Sequence, residues 1–170
     1  GHRRTMGLWG SPYVTDRVNG ASVRRHARSF FQGNRYLLDS LVDHVVGRIA
    51  AWPVLDLYAG VGLFSVAAAT AGKGNVVAVE GDRYSAADLR SNAEGHDTLR
   101  PVVGAVEAFL QQPGLSFGSV IVDPPRTGMS KSATNGVLDV RAARVIYVSC
   151  DIATLARHAR EVIDAGYRIE

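Results

Sequence analysis

Cysteine is nearly absent from this chain: Cys150 is the only one in 170 residues. A lone thiol excludes an internal disulfide and any motif that grips a metal between paired cysteines, so no metal site is expected. It also fits a reducing setting, which points to the cytoplasm. Lysine is scarce, and arginine supplies 17 of the 19 basic residues. That bias suits bidentate phosphate recognition, and equally fits a high-GC coding sequence. No apolar run approaches ~18 residues, so no transmembrane span is expected. Internal repeats and low-complexity linkers are missing too, and the length suits one well-packed domain.

The charge that is present is unevenly spread. Residues 1–35 hold seven arginines (Arg3, Arg4, Arg17, Arg24, Arg25, Arg28, Arg35) against Asp16 alone, a balance of +6, whereas residues 36–170 sum to −3. A basic end on a mildly acidic body points to a polyanion partner, with a merely solvated arm as the plainer alternative. The chain accordingly divides into a basic, partly extended segment, 1–35, and a domain over 36–170.

Within 7–32 the pattern is one of short extended pieces, with Tyr13-Val14 and turn signals at Ser11-Pro12 and Asn19-Gly20. From Asn34 a helical stripe follows: Leu37, Leu38, Leu41, Val42, Val45, Val46 and Ile49. Strands and helices then alternate. Strands are expected at Val54–Tyr58, Val76–Glu80, Val102-Val103, Ser119–Asp123 and Val145–Ser149, with a further one at Tyr167–Glu170. Helices are expected at Leu63–Ala71, Ser85–Glu94, Val106–Gln111, Ser132–Val140 and Ala153–Ala165. Uninterrupted Val/Ile strands between helices specify an α/β fold: a doubly wound, mostly parallel sheet of the Rossmann-like type.

Three stretches carry chemistry on such a sheet. Asp56-Leu57-Tyr58-Ala59-Gly60-Val61-Gly62 is a turn from strand to helix, where Gly60 and Gly62 let the backbone approach a ligand closely. Glu80 ends the next strand, about twenty residues on, where a carboxylate accepts hydrogen bonds from ribose hydroxyls. Together they indicate a nucleoside cofactor, either NAD(P) or S-adenosylmethionine. The third glycine of the dinucleotide spacing is missing, and this favours S-adenosylmethionine. Asp123-Pro124-Pro125-Arg126-Thr127-Gly128 follows the Val120-Ile121-Val122 strand, and the paired prolines stiffen a loop carrying an acid and an arginine. Finally Ile146-Tyr147-Val148-Ser149-Cys150-Asp151 reads as a short buried strand ending at a helix N-terminus, surroundings that favour a thiolate. The bland alternative is a buried core cysteine.

Four blocks in order resemble the S-adenosylmethionine-dependent RNA 5-methyluridine (uracil-C5) methyltransferases. They are Phe30-Phe31-Gln32-Gly33-Asn34, Asp56 to Ser65, Asp123 to Gly128, and Ser149-Cys150-Asp151 with Thr154-Leu155-Ala156-Arg157. The resemblance implies that Gln32, Tyr58, Glu80 and Asp123 contact the cofactor and that Cys150 is the nucleophile, with tRNA or rRNA as substrate. It leaves Arg126 open, as a partner for a phosphate, a uracil carbonyl or the thiolate. The chain departs from the family at Ile152, where proline is usual, and at Leu63, often polar. One cysteine cannot build the four-cysteine iron–sulfur site of some members. The family's general-base glutamate lies some thirty residues beyond the nucleophile, past residue 170, and members are about twice this long. A catalytic-domain fragment, truncated at both ends, is therefore expected. The alternatives are a nicotinamide-dependent oxidoreductase on the same glycine turn, or a cofactor-binding module without turnover.

Overall fold

A computed structural model describes residues 10–170. Arg3 and Arg4 of the basic segment lie outside the described residues. The described chain begins with an antiparallel hairpin, β1 (Tyr13–Val18) and β2 (Ala21–His26), closed by Asn19-Gly20. Both turn residues have positive φ, 50° and 80°, the conformation that matches the twist of a two-residue hairpin. The rest alternates: α1 (Leu38–Gly47), β3 (Val54–Leu57), α2 (Leu63–Thr70), β4 (Val76–Glu80), α3 (Arg83–Ala93), β5 (Leu99–Val103), α4 (Val106–Leu110), β6 (Ser119–Val122), α5 (Lys131–Asp139), β7 (Arg144–Tyr147) and α6 (Ile152–Asp164).

The last five strands form one parallel sheet in the order β5-β4-β3-β6-β7. Successive side chains on a strand face opposite ways, and the core divides accordingly. Val54, Val76, Ala78 and Ile121 join one cluster with α1, α2 and the hairpin residues Val18, Ala21 and Val23. Leu55, Leu57, Val77, Val79, Val120 and Val122 join a second cluster with α4 and α5. Both faces are thus covered, and the α/β expectation holds.

Several boundaries differ from expectation, each for a local reason. The helix placed from Asn34 starts at Leu38, because the Asn34 side chain accepts the Tyr36 N–H and makes a turn instead. β5 is longer than Val102-Val103, running through Pro101, which an edge strand tolerates. α3 starts two residues early because Asp82 caps it, accepting from the N–H groups of Tyr84 and Ser85. The strand leading to Cys150 is half-buried at the sheet edge and ends at Tyr147, not Ser149. Residues 167–170 form no strand; Tyr167 Oη donates to the Ala142 carbonyl at 2.8 Å, and Glu170 pairs with Arg144 at 2.6 Å.

Asn92 of α3 ties the hairpin to the sheet. Its side-chain oxygen accepts from Arg24 N at 2.9 Å, and its amide donates to the carbonyls of Arg24, at 2.7 Å, and Val61, at 2.8 Å. Asn92 is buried, so removing these bonds leaves partners that water cannot reach. Asn92→Ala should destabilise the chain by about 1–3 kcal/mol, read from the midpoint of urea unfolding. A loss below about 0.5 kcal/mol would mean the hairpin docks by its apolar contacts alone.

Candidate functional site at the carboxyl edge

All five strands are parallel, so their carboxyl ends share one edge. The strand order reverses direction between β3 and β6, which is where open α/β sheets hold ligands. Leu57 of β3 is in register with Val79 of β4 and Val122 of β6. One step further along each strand stand Tyr58, Glu80 and Asp123. Neighbouring strands lie about 4.8 Å apart, which brings these three into one crevice.

The turn after β3 is built from unusual backbone. Tyr58, Gly60 and Gly62 all have positive φ, at 59°, 57° and 92°. A tyrosine in that region is strained, and its ring is half-buried beside Tyr147; burial pushes the Tyr58 hydroxyl up to about 12. At Gly62 an added Cβ would stand 2.7 Å from Leu89 Cδ1, so the glycine is also needed for α2 to pack against α3. The Glu80 carboxylate supports the turn, accepting from Gly60 N at 2.7 Å and Asp82 N at 2.6 Å. Each of its oxygens keeps a further lone pair for a ligand.

Two other carboxyl groups lie here. Asp123, after β6, accepts from Gln32 Nε2 at 2.8 Å, so the Phe30–Asn34 block reaches across to it. Burial pushes Asp123 up to about 6, partly offset by the Gln32 bond. Asp56 is wholly buried beneath the turn, accepting from Ser65 Oγ, while its Oδ1 has no partner. Burial pushes it to about 7 against the Ser65 bond, and the nearby charges of Asp123 and Glu80 add to the rise. Glu80 and Asp123 thus stand at the edge of the crevice, with the Asp56 carboxyl buried beneath it.

Cys150 sits on the next loop and is exposed, which removes the buried-core alternative. It immediately precedes Asp151, the cap of α6, whose carboxylate accepts from Thr154 N at 2.7 Å. That bond holds Asp151 well below the usual carboxylate range, and the Arg126 guanidinium adds to the effect. Arg126 is exposed, and its charge is felt at this end of α6.

A brace between the two loops was not foreseen from the sequence. Thr154 Oγ1 donates to the Arg126 carbonyl at 3.1 Å, and Arg157 Nη2 donates to the Thr127 carbonyl at 3.1 Å. Gly128, at φ 80°, lies so close that an added Cβ would be 2.3 Å from His158 Cε1 and 2.5 Å from Thr154 Cγ2. His158 is itself buried against Tyr147, with Oη 2.6 Å from Nδ1. The spacing of Thr154, Arg157 and His158 on one helical face was the available signal.

Among the described residues no group of histidine, cysteine or acidic side chains can hold a metal ion, and no helix is long and apolar enough to cross a membrane.

Comparison with known proteins adds the following. The family model described as tRNA (Uracil-5-)-methyltransferase matches residues 107–170. An uncharacterized RNA methyltransferase of Streptomyces avermitilis is 34% identical over 94% of this chain. Another, from Gloeobacter violaceus, is 34% identical over 96% of it. The chain spans 38% and 36% of the lengths of these two relatives. Among solved structures, the Pyrococcus abyssi tRNA (uracil-54, C5)-methyltransferase, in complex with S-adenosyl-L-homocysteine, superposes with a TM-score of 0.82. It is 29% identical, and the match covers 95% of this chain and 40% of that one. The fold is also shared with an Escherichia coli protein, 22% identical with a TM-score of 0.62, over 74% of each chain. The C-terminal part of the chain thus matches the tRNA (uracil-5-)-methyltransferase family model, and nearly the whole chain is similar to RNA methyltransferases over little more than a third of their length.

Proposed function

We propose that this chain carries the catalytic site of an S-adenosylmethionine-dependent RNA uracil-C5 methyltransferase, with Cys150 as nucleophile. The observation that carries the reading is the meeting, at one sheet edge, of a carboxylate-lined crevice and an exposed thiol on the neighbouring loop. The donor set suits the cofactor. Asp56, Glu80 and Asp123 favour a sulfonium cation, whereas the pyrophosphate of a dinucleotide would meet repulsion from the same carboxylates. Glu80 would hold the ribose hydroxyls, and the Gly60–Gly62 backbone gives close access. Gln32 and Asp123 would line the methionine end, with Tyr58 beside it.

When bound, S-adenosylmethionine supplies the electrophilic methyl group that uracil C5 accepts. The chain's own part is to make C5 nucleophilic. The Cys150 thiolate adds to C6, the C6–Sγ bond forms, and the C5–C6 π pair moves to an enolate spanning C5 and O4. Once C5 carries the methyl group, a base takes the C5 proton, the C5–C6 double bond re-forms, and the C6–Sγ bond breaks to release the thiolate. Covalent catalysis of this kind divides one hard step into two easier ones. The base must leave its stack to reach an exposed thiol, so a single-stranded or everted uridine is the substrate. Asp123 and the stiff Pro124-Pro125 backbone would orient the uracil ring, and Arg126 would face its carbonyl or a flanking phosphate.

Intact-mass measurement after incubation with S-adenosylmethionine and a 5-fluorouridine RNA tests the reading. The C5 fluorine cannot leave as a proton, so a Cys150 adduct should persist, and Cys150→Ser should give none. An adduct of the same mass on Cys150→Ser would refute the assignment of the nucleophile.

Glu80→Gln should weaken S-adenosylmethionine binding by roughly 1–3 kcal/mol, about five- to 150-fold, because a neutral amide accepts the ribose hydroxyls poorly. Affinity within twofold of wild type by calorimetry would remove Glu80 from the cofactor site.

The charge argument also fixes a pH dependence. Asp123 ionises near 6 and Asp56 near 7, so the crevice gains negative charge as pH rises through that range and loses it as pH falls. The preference for the sulfonium over its thioether product should therefore shrink between about pH 8 and about pH 5. A ratio of the two calorimetric affinities that stays constant over that range would contradict the cation site.

A further inference from the structure

The hairpin and the start of α3 carry a ladder of rings and guanidinium groups. Tyr13 meets His26 edge-on at 5.3 Å, and His26 stacks on Tyr84 at 5.1 Å. Arg24 lies 3.5 Å from the centre of the Tyr13 ring and donates to Ser91 Oγ at 3.2 Å. Arg28 and Arg83 approach the Tyr84 ring at 5.2 and 5.8 Å. Tyr13 is 40% exposed, and Arg83 stands in solvent.

The partners of these arginines decide what they can bind. Arg25, in the same strand as Arg24, pairs with Asp16 at 2.7 Å, which neutralises it. Arg24 and Arg83 have no ion-pair partner among the described residues. Rings and a hydroxyl hold them in place and leave their charge intact. A guanidinium already ordered loses little entropy when a phosphate arrives, and its outer face still stacks a base. The acids on this side are occupied: Asp82 caps α3, and Asp88 accepts from His26 N at 2.6 Å and from Ser29 Oγ at 2.5 Å. The ladder also leads to the site. Arg83 and Tyr84 follow Asp82, whose N–H donates to Glu80 at the carboxyl edge.

We infer that this ladder is a track for single-stranded RNA, with Arg24 and Arg83 on separate phosphates of one strand and Tyr13 against a base, leading the strand toward the Glu80–Cys150 edge. The inference rests on the proposed RNA substrate. Rings and ordered cations together are the means by which proteins hold single strands without reading their sequence.

Fluorescence anisotropy with a labelled uridine-rich RNA of about 12 nucleotides tests it. Salt would be varied between about 50 and 200 mM, where affinity reports the number of phosphates neutralised. Each lost contact to a single strand lowers the logarithmic salt slope by about 0.7, so Arg24→Gln with Arg83→Gln should lower it by about 1.4. Arg25→Gln should leave it unchanged. Arg83→Gln alone, at an exposed helix position, should remove about 0.7 even if the change at Arg24 disturbs the hairpin. Thermal stabilisation by S-adenosylhomocysteine reports separately on the fold and the cofactor site. A wild-type slope in the Arg83→Gln and double variants overturns the track and leaves the RNA-substrate reading standing. A wild-type chain that is stabilised by S-adenosylhomocysteine but binds no RNA even at low salt overturns both.

Discussion

A parallel sheet sends every strand's carboxyl end to the same edge, and nearly all the chemistry here follows from that. Strands β3, β4, β6 and β7 stop beside one another, so the loops after them are neighbours although up to some ninety residues separate them in sequence. Short Val- and Ile-rich strands can be parallel only if helices cover both faces, and the two core clusters provide that cover. The acids are affordable at the edge because the turn and Gln32 supply hydrogen bonds. Asp56, one step inside, has only Ser65, and its ionisation is correspondingly suppressed.

The parts that could be seen in the sequence are those governed by local pattern. Val76–Glu80 is legible to the residue because a pure Val/Ala run ends in an acid, and the turn is legible from Gly60 and Gly62, whereas the positive φ of Tyr58 is not. Gln32, Tyr58, Glu80 and Asp123 do gather at one edge, as the alternation of strands and helices requires. β5 was under-read because Pro101 argues against a strand unless its place at the edge is known. Cys150 was expected at the end of a buried strand; β7 is instead an outer strand, and the thiol is in solvent.

What was illegible depends on partners distant in sequence. Nothing local to Asn92 announces that it holds Arg24 and Val61, and nothing local to Asp88 announces His26 and Ser29. The basic segment shows the same limit. Its arginines look alike in sequence, yet Arg25 is spent on Asp16 while Arg24 keeps its charge over a tyrosine ring.

The brace from α6 to the 126–128 backbone bears on how the site withstands motion. β7 is an outer strand with half-buried residues, the kind of element that opens most readily in thermal fluctuations. If loop and thiol were each hung from the sheet independently, such fraying would alter their separation. Thr154, Arg157 and the Gly128–His158 contact bypass the sheet and join the loop directly to the helix that follows the thiol. Asp123 and Cys150 are therefore coupled through α6 as well as through the sheet, so fraying of β7 alone does not uncouple the two loops.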